Sequence, residues 1–141
     1  MASIKLEVIT PSKLFYSGEV DLVIARTLMG DEGFMAGHAW ACKLLDVDEL
    51  WIQEAGRKEY KVAAVAGGYI DVKDSIILYT DAAEWQEDID AKRAEESKEY
   101  AEHWLETEKK HDPNEIARAQ IAIAKAIARM NVAGGGRRKR R

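Results

Sequence analysis

The sequence has one cysteine, Cys42, and two prolines, Pro11 and Pro113, among 141 residues. One cysteine excludes an internal disulfide and suits a reducing compartment. No apolar stretch approaches the ~20 residues that a membrane helix needs. The longest candidate, residues 62–70, is short and carries Gly67 and Gly68. The start, Met1-Ala2-Ser3-Ile4-Lys5, has no basic residues followed by an apolar run, so no secretory signal is expected and a cytoplasmic chain fits. Catalytic signatures are missing too: no HExxH, no GxxxxGK[ST], no GxSxG and no paired cysteines. The histidines, His38, His103 and His111, are scattered and form no metal-ligand pattern. Cys42 sits in the apolar run Trp40-Ala41-Cys42-Lys43-Leu44-Leu45 and reads as a buried strand cysteine. The expectation is a protein that is not an enzyme.

Charge is unevenly placed. Residues 1–86 hold eight basic and fourteen acidic side chains, a net −6. Residues 87–136 hold eight and eleven, a net −3, whereas Arg137-Arg138-Lys139-Arg140-Arg141 adds +5. An acidic body disfavours nucleic-acid binding, which needs a basic surface to neutralise phosphates. The basic tail follows Gly134-Gly135-Gly136, a flexible linker by composition.

Up to about residue 82 the pattern is short strands and turns. Residues 4–10 alternate apolar and polar side chains, the period of a half-buried strand, until Pro11 ends them. Residues 14–16, 20–25, 50–53, 60–65, 69–72 and 75–79 read as further strands, with Gly56 turning one hairpin. Such spacing favours a sandwich or flattened barrel. Residues 27–37 form the longest interruption, a glycine-spaced segment expected to be a surface loop carrying Leu28, Met29, Phe34 and Met35. A loop so apolar folds onto its own core or meets a partner.

Beyond Glu84 the pattern becomes helical. Residues 87–110 contain no Gly or Pro and place Ala94, Ala101, Trp104 and Leu105 on one face. Asp112-Pro113-Asn114-Glu115 punctuates the start of a second helix: an N-cap acid, proline at the first helical position and an acid three residues on. That helix spaces Ile116, Ala119, Ile123, Ile127 and Met130 along one stripe, with further alanines permitting close approach. A connection this short makes the helices antiparallel neighbours about 30 Å long. Their narrow, alanine-weighted stripe predicts modest docking, a few kcal/mol at ~25 cal/mol per Å².

Read together, these segments resemble the epsilon subunit family of F-type ATP synthases. The likeness rests on Thr10-Pro11, the turn and strand at residues 15–20, the loop Gly30-Asp31-Glu32-Gly33-Phe34-Met35-Ala36-Gly37-His38-Ala39, and Ala66-Gly67-Gly68-Tyr69-Ile70-Asp71-Val72. Thr80-Asp81-Ala82-Ala83-Glu84, Asp88-Ile89-Asp90-Ala91-Lys92-Arg93-Ala94 and the alanine-rich residues 118–129 complete it. The resemblance implies an N-terminal ten-stranded β-sandwich (residues 1–84), a C-terminal antiparallel helical hairpin (85–132) and here a glycine-rich basic tail (133–141). It implies a noncatalytic subunit of the rotating central stalk, peripheral on the cytoplasmic face of the cell membrane and held there through its complex. The implied partners are the gamma subunit, the ring of c subunits and the alpha and beta subunits of the catalytic head. The hairpin would fold on the sandwich or extend to block ATP hydrolysis.

By the same resemblance, Asp31, Phe34, Met35 and His38 belong to subunit interfaces, Asp31 facing the ring and His38 lying near gamma. Some relatives bind regulatory ATP on the folded hairpin. Ile89, Asp90, Arg93 and Ala94 match the first part of that motif, and Lys125 and Arg129 stand at its basic positions on the second helix. Lys125 replaces an arginine, and Tyr100 replaces a basic residue. Such a site would sense ATP without hydrolysing it. Ala36 and Trp40 stand where many relatives carry proline, and Glu32 where an aliphatic residue is common. Arg137, Arg138, Lys139, Arg140 and Arg141 would strengthen inhibition by touching acidic surfaces of the head. The rival reading is a stand-alone ATP-sensing helical-hairpin module outside any rotary motor.

Overall fold

The structure, a computed structural model, describes residues 2–107 and 112–135. Its strands are β1 (Ile4–Ile9), β2 (Leu14–Thr27), β3 (Gly30–Phe34), β4 (Ala41–Glu54), β5 (Tyr60–Val72), β6 (Ile76–Tyr79) and β7 (Ala83–Trp85). A 3-10 turn at Gln86–Asp88 then leads to α1 (Ala91–Thr107) and α2 (Pro113–Ala133). β1 pairs antiparallel with β2 and parallel with β6, and the path β6-β5-β4-β2 returns to β1. Five strands therefore close a barrel-like ring, with β3 added beside β2 and β7 beside β5.

Seven strands stand among the described residues where ten were expected. The difference lies in β2, β4 and β5, which run for 14, 14 and 13 residues. β2 pairs with β1 over residues 14–20 and with β4 from Val20 onward, its register shifting between Val20 and Leu22. β5 passes from β7 to β6 across Gly67-Gly68, both at positive φ. Bulges and glycine kinks let one strand serve two layers without a break. A Cβ at Gly68 would lie 1.8 Å from the Tyr79 carbonyl oxygen, so only glycine lets β6 approach there.

The segment expected as a loop at 27–37 contains β3, and Phe34 is fully buried. The buried Thr27 hydroxyl ties the turn: it lies 3.1 Å from the Gly30 carbonyl oxygen, reaches the Glu32 carboxylate, and accepts the Met29 N–H at 3.1 Å. Leu28 and Met29 are left projecting at the tip, 67% and 88% exposed.

Strand alternation divides the apolar side chains between two faces. Leu6, Val8, Val20, Val23, Phe34, Leu50, Ile52, Ile70, Val72, Ile76 and Leu78 fill the interior. Leu22, Ile24, Trp51, Val62 and Ala64 point outward and form a second cluster, closed by Val132 from α2 and Ile89. Strands covered on both faces explain the continuous apolar run of β5. Cys42, expected to be buried, is exposed, because it alternates onto the uncovered side of β4 with Leu44.

α1 begins at Ala91, later than the expected residue 87. Ile89 is extended and packs on the outer sheet cluster, and the Asp90 carboxylate then caps α1 by accepting the Arg93 N–H at 3.1 Å. α2 starts as the sequence predicts: Pro113 is its first residue and Asp112 accepts the Asn114 N–H at 3.1 Å. His111 lies outside the described residues.

Candidate functional site

Two surfaces of the β domain and one junction with the hairpin carry the functional candidates. On β4, β5, β6 and β1, Leu44 opposes Tyr69, Tyr69 opposes Tyr79, and Tyr79 opposes Ile9. This outward row crosses four strands opposite the core; Leu44 is 62% exposed, and the rings of Tyr69 and Tyr79 stack at 4.8 Å. It was not singled out in the sequence, although apolar side chains on both phases of residues 69–79 are the signal that could have found it. The second surface is the Leu28-Met29 tip. Its neighbour Glu32 bonds Lys43, and that bond, with the Thr27 hydroxyl, holds the Glu32 carboxyl below the usual carboxylate range.

The four interface candidates from sequence fall in different places. Asp31 is exposed on β3 and lies 3.6 Å from the Arg26 guanidinium. Met35 is 45% exposed. His38 is half-buried, its ring 5.1 Å from that of Phe34 and its Nδ1 2.7 Å from the Ala39 carbonyl oxygen. Phe34 is enclosed in the core and presents no surface to a partner.

The hairpin candidates divide as well. Asp90 is the cap of α1, Ala94 is buried and Ile89 packs on the sheet. Arg93 borders an open groove of about 740 Å³ between α1 and α2, lined also by Tyr100, Trp104, Arg118, Ala119 and Ala122. Lys125 and Arg129 instead border a depression of about 120 Å³ against β5 and β7, with Ala64, Ala83 and Glu84. Arg129 is engaged there: its Nε donates to Glu84 Oε1 at 3.1 Å and its Nη2 to Oε2 at 3.4 Å. Nearby, Gln86 Nε2 donates to the Val132 carbonyl oxygen at 2.8 Å. Glu84 and Gln86 were missed as hairpin contacts, since no local pattern announces a partner 45 or 46 residues away. The tail candidates Arg137, Arg138, Lys139, Arg140 and Arg141 lie outside the described residues. Among the described residues no His, Cys, Asp and Glu group could hold a metal ion, and no helix is long and apolar enough to cross a membrane.

Residues 3–86 match the family profile described as "ATP synthase, Delta/Epsilon chain, beta-sandwich domain" and residues 87–134 match "ATP synthase, Delta/Epsilon chain, long alpha-helix domain". The chain belongs to the ATP synthase delta/epsilon chain family. Its relatives include the ATP synthase epsilon chain of Caldicellulosiruptor saccharolyticus, 35% identical over 94% of each chain. That of Alkaliphilus metalliredigens is 42% identical over 74% of this chain and 78% of its own. That of Bacillus velezensis is 33% identical over 95% and 99%. Among solved structures, a chain of the Euglena gracilis mitochondrial ATP synthase (OSCP, F1 and c-ring) has the same fold with a TM-score of 0.76, at 21% identity over 91% of this chain and 79% of that one. A chain of the central stalk and c-ring structure from Tetrahymena thermophila gives 0.62, at 12% identity over 94% and 97%.

Proposed function

We propose that this chain is the epsilon subunit of a bacterial F-type ATP synthase central stalk, a noncatalytic part that couples rotation to the catalytic head and restrains ATP hydrolysis. The observation that carries the reading is the match of both family profiles, in order, over residues 3–86 and 87–134. In this reading the working units are residues 1–84, the hairpin 85–132 and the basic tail 133–141. The Ile9-Tyr79-Tyr69-Leu44 row supplies an apolar face suited to the gamma subunit, because exposed contiguous apolar side chains favour a protein partner. The Leu28-Met29 tip, with Asp31 beside it, lies in the segment that would meet the polar loops of the c ring. Peripheral attachment at the cytoplasmic face of the membrane follows from such partners.

The hairpin is the regulatory arm. Folded down it leaves the head free; extended, it blocks hydrolysis, with Arg137 to Arg141 adding attraction for acidic surfaces of the head. ATP would favour the folded arm by binding near Ile89, Asp90, Arg93, Ala94, Lys125 and Arg129. The test compares hydrolysis and ion pumping by the assembled complex with the full chain and with residues 87–141 removed. Faster hydrolysis with pumping retained supports inhibition by the arm. A complex that assembles and couples equally well without the chain at all would overturn the central-stalk reading. Co-purification with gamma and the head separates this reading from a stand-alone ATP sensor.

A further inference from the structure

The Glu84–Arg129 contact is built from two rigid elements. Glu84 lies in β7, its backbone in register with Ala64 of β5, so its carboxylate is aimed by the sheet. Arg129 lies in the last third of α2 and meets it with two nitrogens on two oxygens. At 3.1 and 3.4 Å the two bonds are long, but the fork fixes the orientation of both groups. Two residues on, Gln86 Nε2 donates to the Val132 carbonyl oxygen at 2.8 Å, beside the Gly135 N–H that the same oxygen accepts at 3.0 Å. Both polar ties therefore come from residues 84–86 and grip one end of α2.

The same depression is lined by two cations, Lys125 and Arg129, and one carboxylate, Glu84. No ion pair of Lys125 is found among the described residues. At about 120 Å³ it is well below the roughly 300 Å³ at which small-molecule pockets begin. A phosphate entering there meets an Arg129 guanidinium already bonded to the Glu84 carboxylate and must compete with it.

We propose that Glu84 is a resident anion for Arg129: it latches the arm to the β domain without any nucleotide, and a phosphate-bearing ligand reaches that guanidinium only by displacing it. The latch stands on the geometry alone; the displacement rests on the ATP reading given under Proposed function. An arm so held is folded by default, and ATP exchanges one anion for another instead of creating the folded state. The equilibrium then shifts only by the difference between the two anions.

The test uses the full chain with dyes on the native Cys42 and on Gln120→Cys, both exposed, and reads the open fraction by single-molecule energy transfer without nucleotide. Glu84→Gln is expected to raise the open fraction roughly fivefold. The exchange of charges, Glu84→Arg with Arg129→Glu, is expected to bring it back to within about twofold of the parent, which a merely misfolded variant would not do. A Glu84→Gln open fraction within about twofold of the parent, or a swapped pair as open as the single variant, overturns the latch. Titration with ATP follows on the parent and Glu84→Gln chains. Binding roughly fivefold tighter to Glu84→Gln supports displacement, and equal or weaker binding overturns it. Failure of ATP to bind either chain at millimolar concentration sinks the ATP reading and the displacement together, while the dye measurement still decides the latch.

Discussion

The β domain and the helical arm bury different kinds of side chain, and the contrast sets what each can do. Inside the ring of strands the largest fully buried side chains are Phe34, Leu6, Leu50, Ile52, Ile70, Ile76, Leu78 and four valines. On the arm, the buried residues among those described are Ala94, Ala101, Ala126, Ala128 and Val132. Alanine surrenders little area, so each arm contact contributes a fraction of what a buried leucine does. The ring also closes on itself, pairing its main strands on both sides, whereas the arm meets the sheet mainly through one end of α2. In the reading proposed above, this packing lets the arm leave the sheet while the ring of strands stays closed.

Substitutions that fall on the two sides of this contrast sharpen it. Gly68→Ala should have the largest effect, about 4 kcal/mol or outright failure to fold, because the new methyl would overlap the Tyr79 carbonyl at a positive φ. Chemical denaturation followed by circular dichroism measures it. Phe34→Ala should cost about 3–5 kcal/mol in the same assay, since it empties the interior beside Val23. Val132→Ala should loosen docking of the arm by roughly 2 kcal/mol while the strand transition stays put. A strand transition that fell by the same amount would show that the two parts unfold as one. Asp112→Ala removes the cap of α2 and should cost about 1 kcal/mol, read as faster amide exchange in the first turn of that helix.

The smallest effect concerns pH. Glu32 is held below its ordinary range by Lys43 and Thr27, so its contribution is present above the unfolded carboxylate value and is lost as pH falls through the lower folded one. Melting of the parent and Glu32→Gln should therefore differ most near neutral pH and converge in acid. A difference that widened in acid would contradict this.

Legibility also differed between the two regions. Strand positions read directly from alternation, as at residues 4–9, and Asp112-Pro113 marked the start of α2 to the residue. The span of β4 and β5 did not read, because a bend inside a continuous strand looks in sequence like a gap between two. β3 was hidden by its glycines, which composition assigns to a loop and which the structure uses in a hairpin beside β2. The expected arm stripe, with Ile127 and Ile123, turned out less buried than Ala126, Ala128 and Val132, and Ile127 is 40% exposed. α2 serves two neighbours, α1 and the sheet, and one helical period cannot encode both. Arg129 was singled out for a phosphate, but its partner Glu84 sits 45 residues earlier, a pairing that only the docked arm creates.

An alanine-lined contact implies that the arm opens from the β domain far more readily than the β domain unfolds. Native-state hydrogen exchange on the full chain, at rising denaturant well below the unfolding midpoint, tests it most directly. Helices of this length are marginal in water once undocked, so undocking exposes their amides. Amides of α1 and α2 should exchange through a low-energy opening that leaves the amides of β4 and β5 protected. Exchange of both groups through one shared global unfolding, with equal free energies, would contradict it.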